Sequence, residues 1–264
     1  MLPNTGLTEK EVERKTLLVC GEDKRDVLSA LDGMGVEYEP VKEFREFRAY
    51  RLAGGSEDMT LCITGLGSAS VEILLTELFF CGARAFALAG TCGSLSPEFP
   101  VGTLVLASGA ERHDGASFHY NADPGPAEAD PEFLAIAENL LAGTGVAFKK
   151  GRMISTDTFY CMGARTGENG SPEYTGIPLK PEFHPPPAFS ALKEIIEKKI
   201  PFAIDMETAT FYALCSYMKE KVFNIAVKSV ANMVPFAGGE QVENTRDALA
   251  GAVRAALCIL EEID

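Results

Sequence analysis

Three apolar runs, each stopped by glycine, constrain this chain more than any other feature. Thr16-Leu17-Leu18-Val19-Cys20 ends at Gly21, Met59 to Thr64 ends at Gly65-Leu66-Gly67, and Arg84 to Ala89 runs into Gly90-Thr91-Cys92-Gly93. Runs this short and this apolar read as buried strands. Ala69 to Phe80, between the second and third, is patterned as a helix. Strand, glycine turn, helix and strand make a βαβ unit, whose crossover handedness favours a parallel sheet. The expectation is an α/β fold. With 264 residues, 46% of them apolar, the chain buries one sizeable core without needing a second domain, so residues 1–264 read as a single domain.

Asp26 to Leu31 follows a helical pattern ended by Gly33 and Gly35, and Val41 to Leu52 reads as extended. Thr103 to Ala110 supplies another strand and Phe133 to Leu141 another helix. Helices are expected around Phe189 to Ile200 and centred on Thr208 to Tyr217, a strand at Val222 to Val230, and a closing helix at Asn244 to Glu262. The middle of Met206 to Tyr217 is apolar on nearly every side, which places that helix inside the domain. Asp205 is positioned to cap it. Glu207 falls in its first turn, where free N–H groups favour an acid; a carboxylate at the mouth of a buried helix also suits a site. From Gly163 to Pro187, glycines, prolines and charges replace regular apolar spacing, which reads as a surface excursion: a linker, or a lid or site loop.

Lys and Arg total 24 against 38 Asp and Glu, a formal charge of -14, so the average surface repels polyanions and acidic membranes. Neither nucleic acid nor a membrane is an expected partner. A small anion is different, because two or three local arginines make a positive pocket on an acidic protein. The seven cysteines are scattered, without a C-x-x-C pair or a Cys/His cluster. That fits a reduced cytoplasmic protein with neither a zinc site nor a disulfide framework. Met1 to Lys15 has no apolar signal core, and no run is long enough to cross a bilayer.

Closely spaced glycines after a strand let backbone N–H groups approach an anion. The turns at Gly65 and Gly90 both qualify, and neither is specific: the first lacks the third glycine of a dinucleotide fingerprint, and neither ends in Gly-Lys-Ser/Thr. Gly21-Glu22-Asp23-Lys24-Arg25 stands at another strand end, and several such turns can converge on one crevice beyond the carboxyl ends of a sheet. Arg25 offers phosphate a fixed fork of donors, as does Arg45 if its extended segment reaches the same or a neighbour's crevice. Ordinary surface charge is the plain alternative for both.

Taken in order, Gly21 to Arg25, Arg45-Glu46-Phe47, the turn at Gly65, Gly90-Thr91-Cys92-Gly93, Asp114 to Tyr120, Ser155 to Tyr160 and Asp205 to Thr210 resemble the uridine phosphorylase branch of the nucleoside phosphorylases. The series covers nearly the whole chain. The resemblance implies a central mixed β-sheet flanked by helices, and a homodimer or a trimer of dimers. It implies phosphorolysis of a pyrimidine nucleoside, uridine foremost, to free base and ribose 1-phosphate, with inorganic phosphate as co-substrate and no cofactor or metal. Gly21, Arg25 and Thr91 would then lie at the phosphate, with Arg45 donated across a dimer. Met206 and Glu207 would meet the ribose, Phe159 would line the base pocket, and Arg165 would recognise the pyrimidine carbonyl.

The sequence departs from that pattern at several places. Leu88 stands where a phosphate-binding arginine is expected, Gly163 where a pyrimidine-recognising glutamine is expected, and Met233 near the position of another arginine. Asn232 lies where purine-handling relatives use an acid, and Asn4 replaces a histidine that would reach a neighbour's sugar. Lys228 is read as a solvated strand-end lysine, with substitution for the missing arginine as the alternative. His119 is read as structural or at a dimer-side pocket edge, and Cys92 as a small packing residue. These departures leave room for a non-catalytic nucleoside-binding pseudoenzyme, and for a purine nucleoside phosphorylase or nucleosidase.

Overall fold

A computed structural model describes residues 1–121, 123, 125–159, 165–166, 172–173, 194–195, 198, 200–233 and 245–263. The strands are β1 (Lys15–Cys20), β2 (Tyr38–Phe44), β3 (Phe47–Leu52), β4 (Met59–Thr64), β5 (Ala85–Ser94), β6 (Leu104–His113), β7 (Ala127–Glu128), β8 (Lys149–Thr156), β9 (Arg165–Thr166), β10 (Pro172–Glu173), β11 (Phe202–Asp205) and β12 (Phe223–Met233). The helices are α1 (Lys24–Met34), α2 (Ser68–Phe80), α3 (Ser117–Tyr120), α4 (Pro131–Thr144), α5 (Thr208–Tyr217) and α6 (Thr245–Glu262).

Nine strands lie in the order β11-β8-β6-β12-β5-β1-β4-β3-β2, with β7 beside β6. The sheet is mixed: β1 is parallel to β4 and β5, β12 is parallel to β5 but antiparallel to β6, and the β2–β3 hairpin adds an antiparallel edge. β11 also pairs antiparallel with the end of β5, Ala203 opposite Ser94 and Ile204 opposite Gly93. The five strands from β5 round to β11 therefore close into a ring, and β1, β4, β3 and β2 extend from it as an open wing.

The strongly apolar runs are strands because both faces of this sheet are covered. Along β1, Leu18 packs with Phe86, Leu88, Val71 and Phe211 on one side, while Leu17 and Val19 pack with Val27, Ala87 and Val253 on the other. Each such side chain removed from water stabilises the fold by roughly 1.5–3 kcal/mol. Helices α2 and α5 cover the first side, and α1, α4 and α6 the second. Helix α5 is buried from Thr208 to Cys215 on all sides, as its apolar middle predicts. No helix among the described residues is long and apolar enough to cross a membrane.

Most expected elements are present with shifted ends, and several features differ. Val41 to Leu52 is a hairpin rather than one extended stretch, reversing at Arg45 with φ 52°. The strands β8 and β11 fall where no strand is expected. Helix α5 begins at Thr208, so Glu207 is its cap position rather than part of its first turn, and Glu207 makes no side-chain cap bond. Asp205 does serve the helix end: its carboxylate accepts from Thr208 N at 3.1 Å and from Thr208 Oγ1 at 2.5 Å. The Gly163 to Pro187 excursion lies outside the described residues except for the paired backbone of β9 and β10, and most of the Phe189 to Ile200 helix lies outside them too.

Candidate active site

The carboxyl ends of β1 and β5 open onto a cavity of about 140 Å³, walled on its far side by the β11–α5 junction. This is the crevice that glycine turns at strand ends predict. Gly21, Thr91, Phe159, Met206, Glu207 and Asn232 all line it, which brings six of the ten expected site residues together.

The Glu207 side of the cavity is fixed by packing. Glu207 is 4% exposed. Its Oε1 accepts from Gly67 N at 3.0 Å, and its Oε2 from Met206 N at 3.3 Å and from Lys228 Nζ at 3.2 Å. Gly67 has φ 90°, a conformation that a side chain would strain, so the glycine turn after β4 is what aims this N–H at the carboxylate. Lys228 also pairs with Asp205 Oδ2 at 3.2 Å. Asp205 Oδ1 in turn accepts from Ser155 Oγ at 2.6 Å, and Ser155 Oγ accepts from Ala209 N at 2.9 Å.

Burial pushes the Glu207 carboxyl above its ordinary range; Lys228 offsets part of that rise and Asp205 adds to it. Burial also works against charge on Lys228, but the facing Glu207 and Asp205 carboxylates more than offset it and hold the ammonium above the ordinary lysine value. Lys228 is 1% exposed, which corrects the reading of a solvated strand-end residue. It lies inside a central strand opposite Gly90, where a lysine is sustained only by buried acids. Leu88, two pairs earlier on β5, is wholly buried among Leu18, Phe86 and Val71. The positive charge near the turn thus sits on β12 rather than on β5.

The Thr91 side of the cavity is built differently. Gly21, with φ 76°, turns the chain out of β1; a Cβ there would meet Leu66 Cδ2 at 2.4 Å. Glu22 then reaches across to β5, its Oε1 accepting from Thr91 N at 2.6 Å and Thr91 Oγ1 at 2.8 Å. Arg25 does not line the cavity. Its side chain is 86% exposed and its Nη2 lies 3.1 Å from Asp23 Oδ2, an ion pair that holds the Asp23 carboxyl down to about 2.

Asn232 closes another side of the cavity. An irregularity in β12 between Val230 and Asn232 inserts one extra residue against β5 and turns the strand end toward the cavity. Phe159 is 57% exposed at the rim. The side chain of Arg165 lies outside the described residues, as do Gly163 and His184. Met233 is half-buried at the end of β12 and does not line the cavity.

Asn4 and Arg45 lie away from the cavity and bond to each other, Arg45 Nη1 donating to Asn4 Oδ1 at 2.9 Å. Asn4 is anchored by α2, donating Nδ2 to Glu77 Oε1 at 2.9 Å. His119 is exposed on α3. Cys20 and Cys92 line the cavity, but burial pushes both thiols up, away from the thiolate form that a nucleophile needs. Among the described residues, no three His, Cys, Asp or Glu side chains are grouped to hold a metal ion.

Sequence alone gives Glu22 and Asp205 no role in the site, Gly67 a place only in a glycine turn, and Lys228 a site role only as the alternative to a solvated strand-end lysine. A signal for two of them exists: a lone lysine inside the apolar run Phe223 to Val230 demands a buried acid, and Asp205-Met206-Glu207 offers two.

The phosphorylase superfamily model matches residues 16–263. The uridine phosphorylase of Escherichia coli strain K12 is 29% identical over 215 residues, covering 80% of this chain and 78% of that enzyme. That of Klebsiella aerogenes is 32% identical over 157 residues, 59% of this chain and less than two thirds of the relative, at 61%. The guanosine phosphorylase of Halorubrum lacusprofundi is 32% identical over 122 residues, 46% of this chain and 51% of that one. A match of such extent to the family model, on a mixed sheet with its cavity at the strand ends, makes this chain a member of the phosphorylase superfamily.

Proposed function

We propose that this protein cleaves the N-glycosidic bond of a pyrimidine nucleoside, uridine foremost, with inorganic phosphate as acceptor, releasing free base and ribose 1-phosphate. The observation that carries the proposal is Glu207, a buried carboxylate held on the cavity wall by Gly67, Met206 and Lys228. A carboxylate has about four lone-pair sites. Three are used by the protein, which leaves acceptor capacity facing the cavity for a ribose hydroxyl.

As the glycosidic bond lengthens, the sugar gains positive oxocarbenium character and the departing base gains negative charge. Glu207 orients the sugar, phosphate attacks C1, and donors near the base take up its charge. Asn232 contributes an amide there, which donates a hydrogen bond but cannot serve as a general acid. That favours a base whose leaving does not require protonation by this residue, and uridine over inosine. The names of the relatives support phosphorolysis and leave purine nucleosides as the second class, since one of them is a guanosine phosphorylase.

Asn4 and Arg45, bonded to each other on the surface, would complete a neighbour's pocket in a homodimer or a trimer of dimers. Mass measurement in solution checks that assembly. Function is tested by chromatographic measurement of base and ribose 1-phosphate from uridine, cytidine, inosine and guanosine, with and without phosphate. Uridine turnover that requires phosphate is the expected result. Base release without phosphate would select hydrolysis, and no turnover of any nucleoside would select a binding protein.

A further inference from the structure

Thr91 presents two donors to the acceptor end of the cavity, its backbone N–H and its hydroxyl. Both are occupied by one oxygen of Glu22, at 2.6 Å and 2.8 Å. These are the short distances of bonds to an ionised acceptor. The local backbone accommodates the carboxylate: a Cβ at Gly90 would lie 3.3 Å from Glu22 Oε1, a tight contact, and at an ordinary 3.4 Å from Lys228 Nζ.

The cations nearby do not compensate for that negative charge. Lys228 is bonded to Asp205 and Glu207, and Arg25 points to solvent with Asp23. Leu88 adds none. An anion arriving at Thr91 therefore meets an anion already bonded there. Two anions cannot share the same two donors, so one must leave. Glu22 is only half-buried, so its side chain has a route outward that Glu207 lacks.

We propose that Glu22 is a specificity-determining residue, a resident anion that holds the Thr91 donors and must be displaced before phosphate binds. The inference rests on the phosphorolysis reading for its consequence in turnover, but not for its test. Displacement costs phosphate a charge-assisted interaction and leaves two negative groups close together. The protein therefore takes up phosphate weakly, and any change that removes the carboxylate tightens it.

The test is calorimetric titration of inorganic phosphate into the full-length protein. Removing the carboxylate in Glu22→Ala is expected to tighten phosphate binding by about tenfold or more. Glu22→Gln, of the same shape but uncharged, is expected to fall between that variant and wild type. Adding Thr91→Val to Glu22→Ala removes the hydroxyl donor and is expected to reverse part of the gain. Phosphate affinity that is unchanged or weaker in both Glu22 variants, with circular dichroism like that of wild type, overturns the proposal, as does a lack of phosphate binding by every form. Nucleoside turnover followed in parallel separates the two ideas. Tighter phosphate binding without base release sinks the enzymatic reading and keeps this one, whereas phosphate-dependent base release with unaltered affinity does the reverse.

Discussion

The two ends of the cavity are built on opposite plans. At the end proposed to hold the sugar, Glu207, Asp205 and Lys228 are all nearly inaccessible, and each is bonded to groups that are themselves fixed by β12, α5 or the Gly67 turn. At the acceptor end, proposed to take up phosphate, Glu22 and Thr91 are half-buried, and the expected cation, Arg25, lies 86% exposed. Rigid positioning suits a group that must only hold a sugar. An exposed, partly self-bonded end suits a place that exchanges one small anion for another. The contrast separates what the fold dictates from what a few side chains decide.

The largest effect should come from the buried pair network. Lys228→Met leaves Asp205 and Glu207 side by side without their cation, and breaking a buried pair in this way costs about 3–5 kcal/mol. Urea unfolding at neutral pH measures it. A loss well under 1 kcal/mol, the range of an exposed pair, would mean that the sugar end is no more fixed than the acceptor end.

Glu207→Ala comes next. It removes the group proposed to orient the ribose, and a misplaced reacting centre lowers turnover by about a hundredfold. The substitution also leaves Gly67 N without its acceptor, so turnover should be compared at a temperature where both proteins are folded. Wild-type-like turnover would remove Glu207 from the mechanism.

The legibility of these two ends in the sequence follows the same divide. Strands β1, β4 and β5 were readable because burial on both faces demands unbroken apolar runs, and glycine stops them. Helix α5 was readable because its middle is apolar on nearly every side, whereas Glu207 reads equally as a helix-end acid and as a site carboxylate, and only the resemblance gives it a ribose role. What escaped depends on long-range pairing. Nothing local in Phe202 to Asp205 announces a four-residue strand, since its reason to be extended is its pairing with Ser94 and with β8, far away in the chain. Lys228 looked solvated because one sequence does not reveal that β12 lies between β5 and β6. Arg25 matched a phosphate motif, yet the motif cannot say that Asp23, two residues earlier, would engage the guanidinium. Glu22 belongs to that motif and has no evident role in the sequence, because only the fold brings it to Thr91.

A smaller and more discriminating effect concerns pH. Burial raises the folded-state value of Glu207 above the unfolded 4.5, so the folded protein takes up this proton before the unfolded chain does. The group's contribution to stability is fully present below that unfolded value and is lost as pH rises through the folded value. Turnover moves the other way, because only the ionised form accepts ribose hydroxyls freely. In that window, raising the pH should therefore increase turnover while wild type loses stability relative to Glu207→Gln. Parallel pH profiles of rate and of unfolding midpoint, taken for both proteins, check the opposition. Lys228 stays protonated throughout, since its value lies above the ordinary one for lysine. If the stability difference instead grows with pH, Lys228 outweighs burial at Glu207 and the sugar end holds a fully ionised pair.

The smallest effect belongs to Arg25, and its smallness is informative. The guanidinium makes its bonds to Asp23, on the exposed first turn of α1, rather than to any cavity group. If that arrangement persists during the reaction, Arg25→Ala should change the phosphate KM by no more than about threefold, the scale of an exposed pair. The family resemblance implies a much larger change, because there the same arginine grips phosphate. The two outcomes are separated further by Asp23→Asn, which frees the guanidinium. Should Arg25→Ala be nearly silent in the wild-type background but costly in Asp23→Asn, the residue is a phosphate ligand held in reserve by its own neighbour. The acceptor end would then be restrained twice, once by Glu22 on the donors and once by Asp23 on the cation, while the sugar end stays as the fold built it.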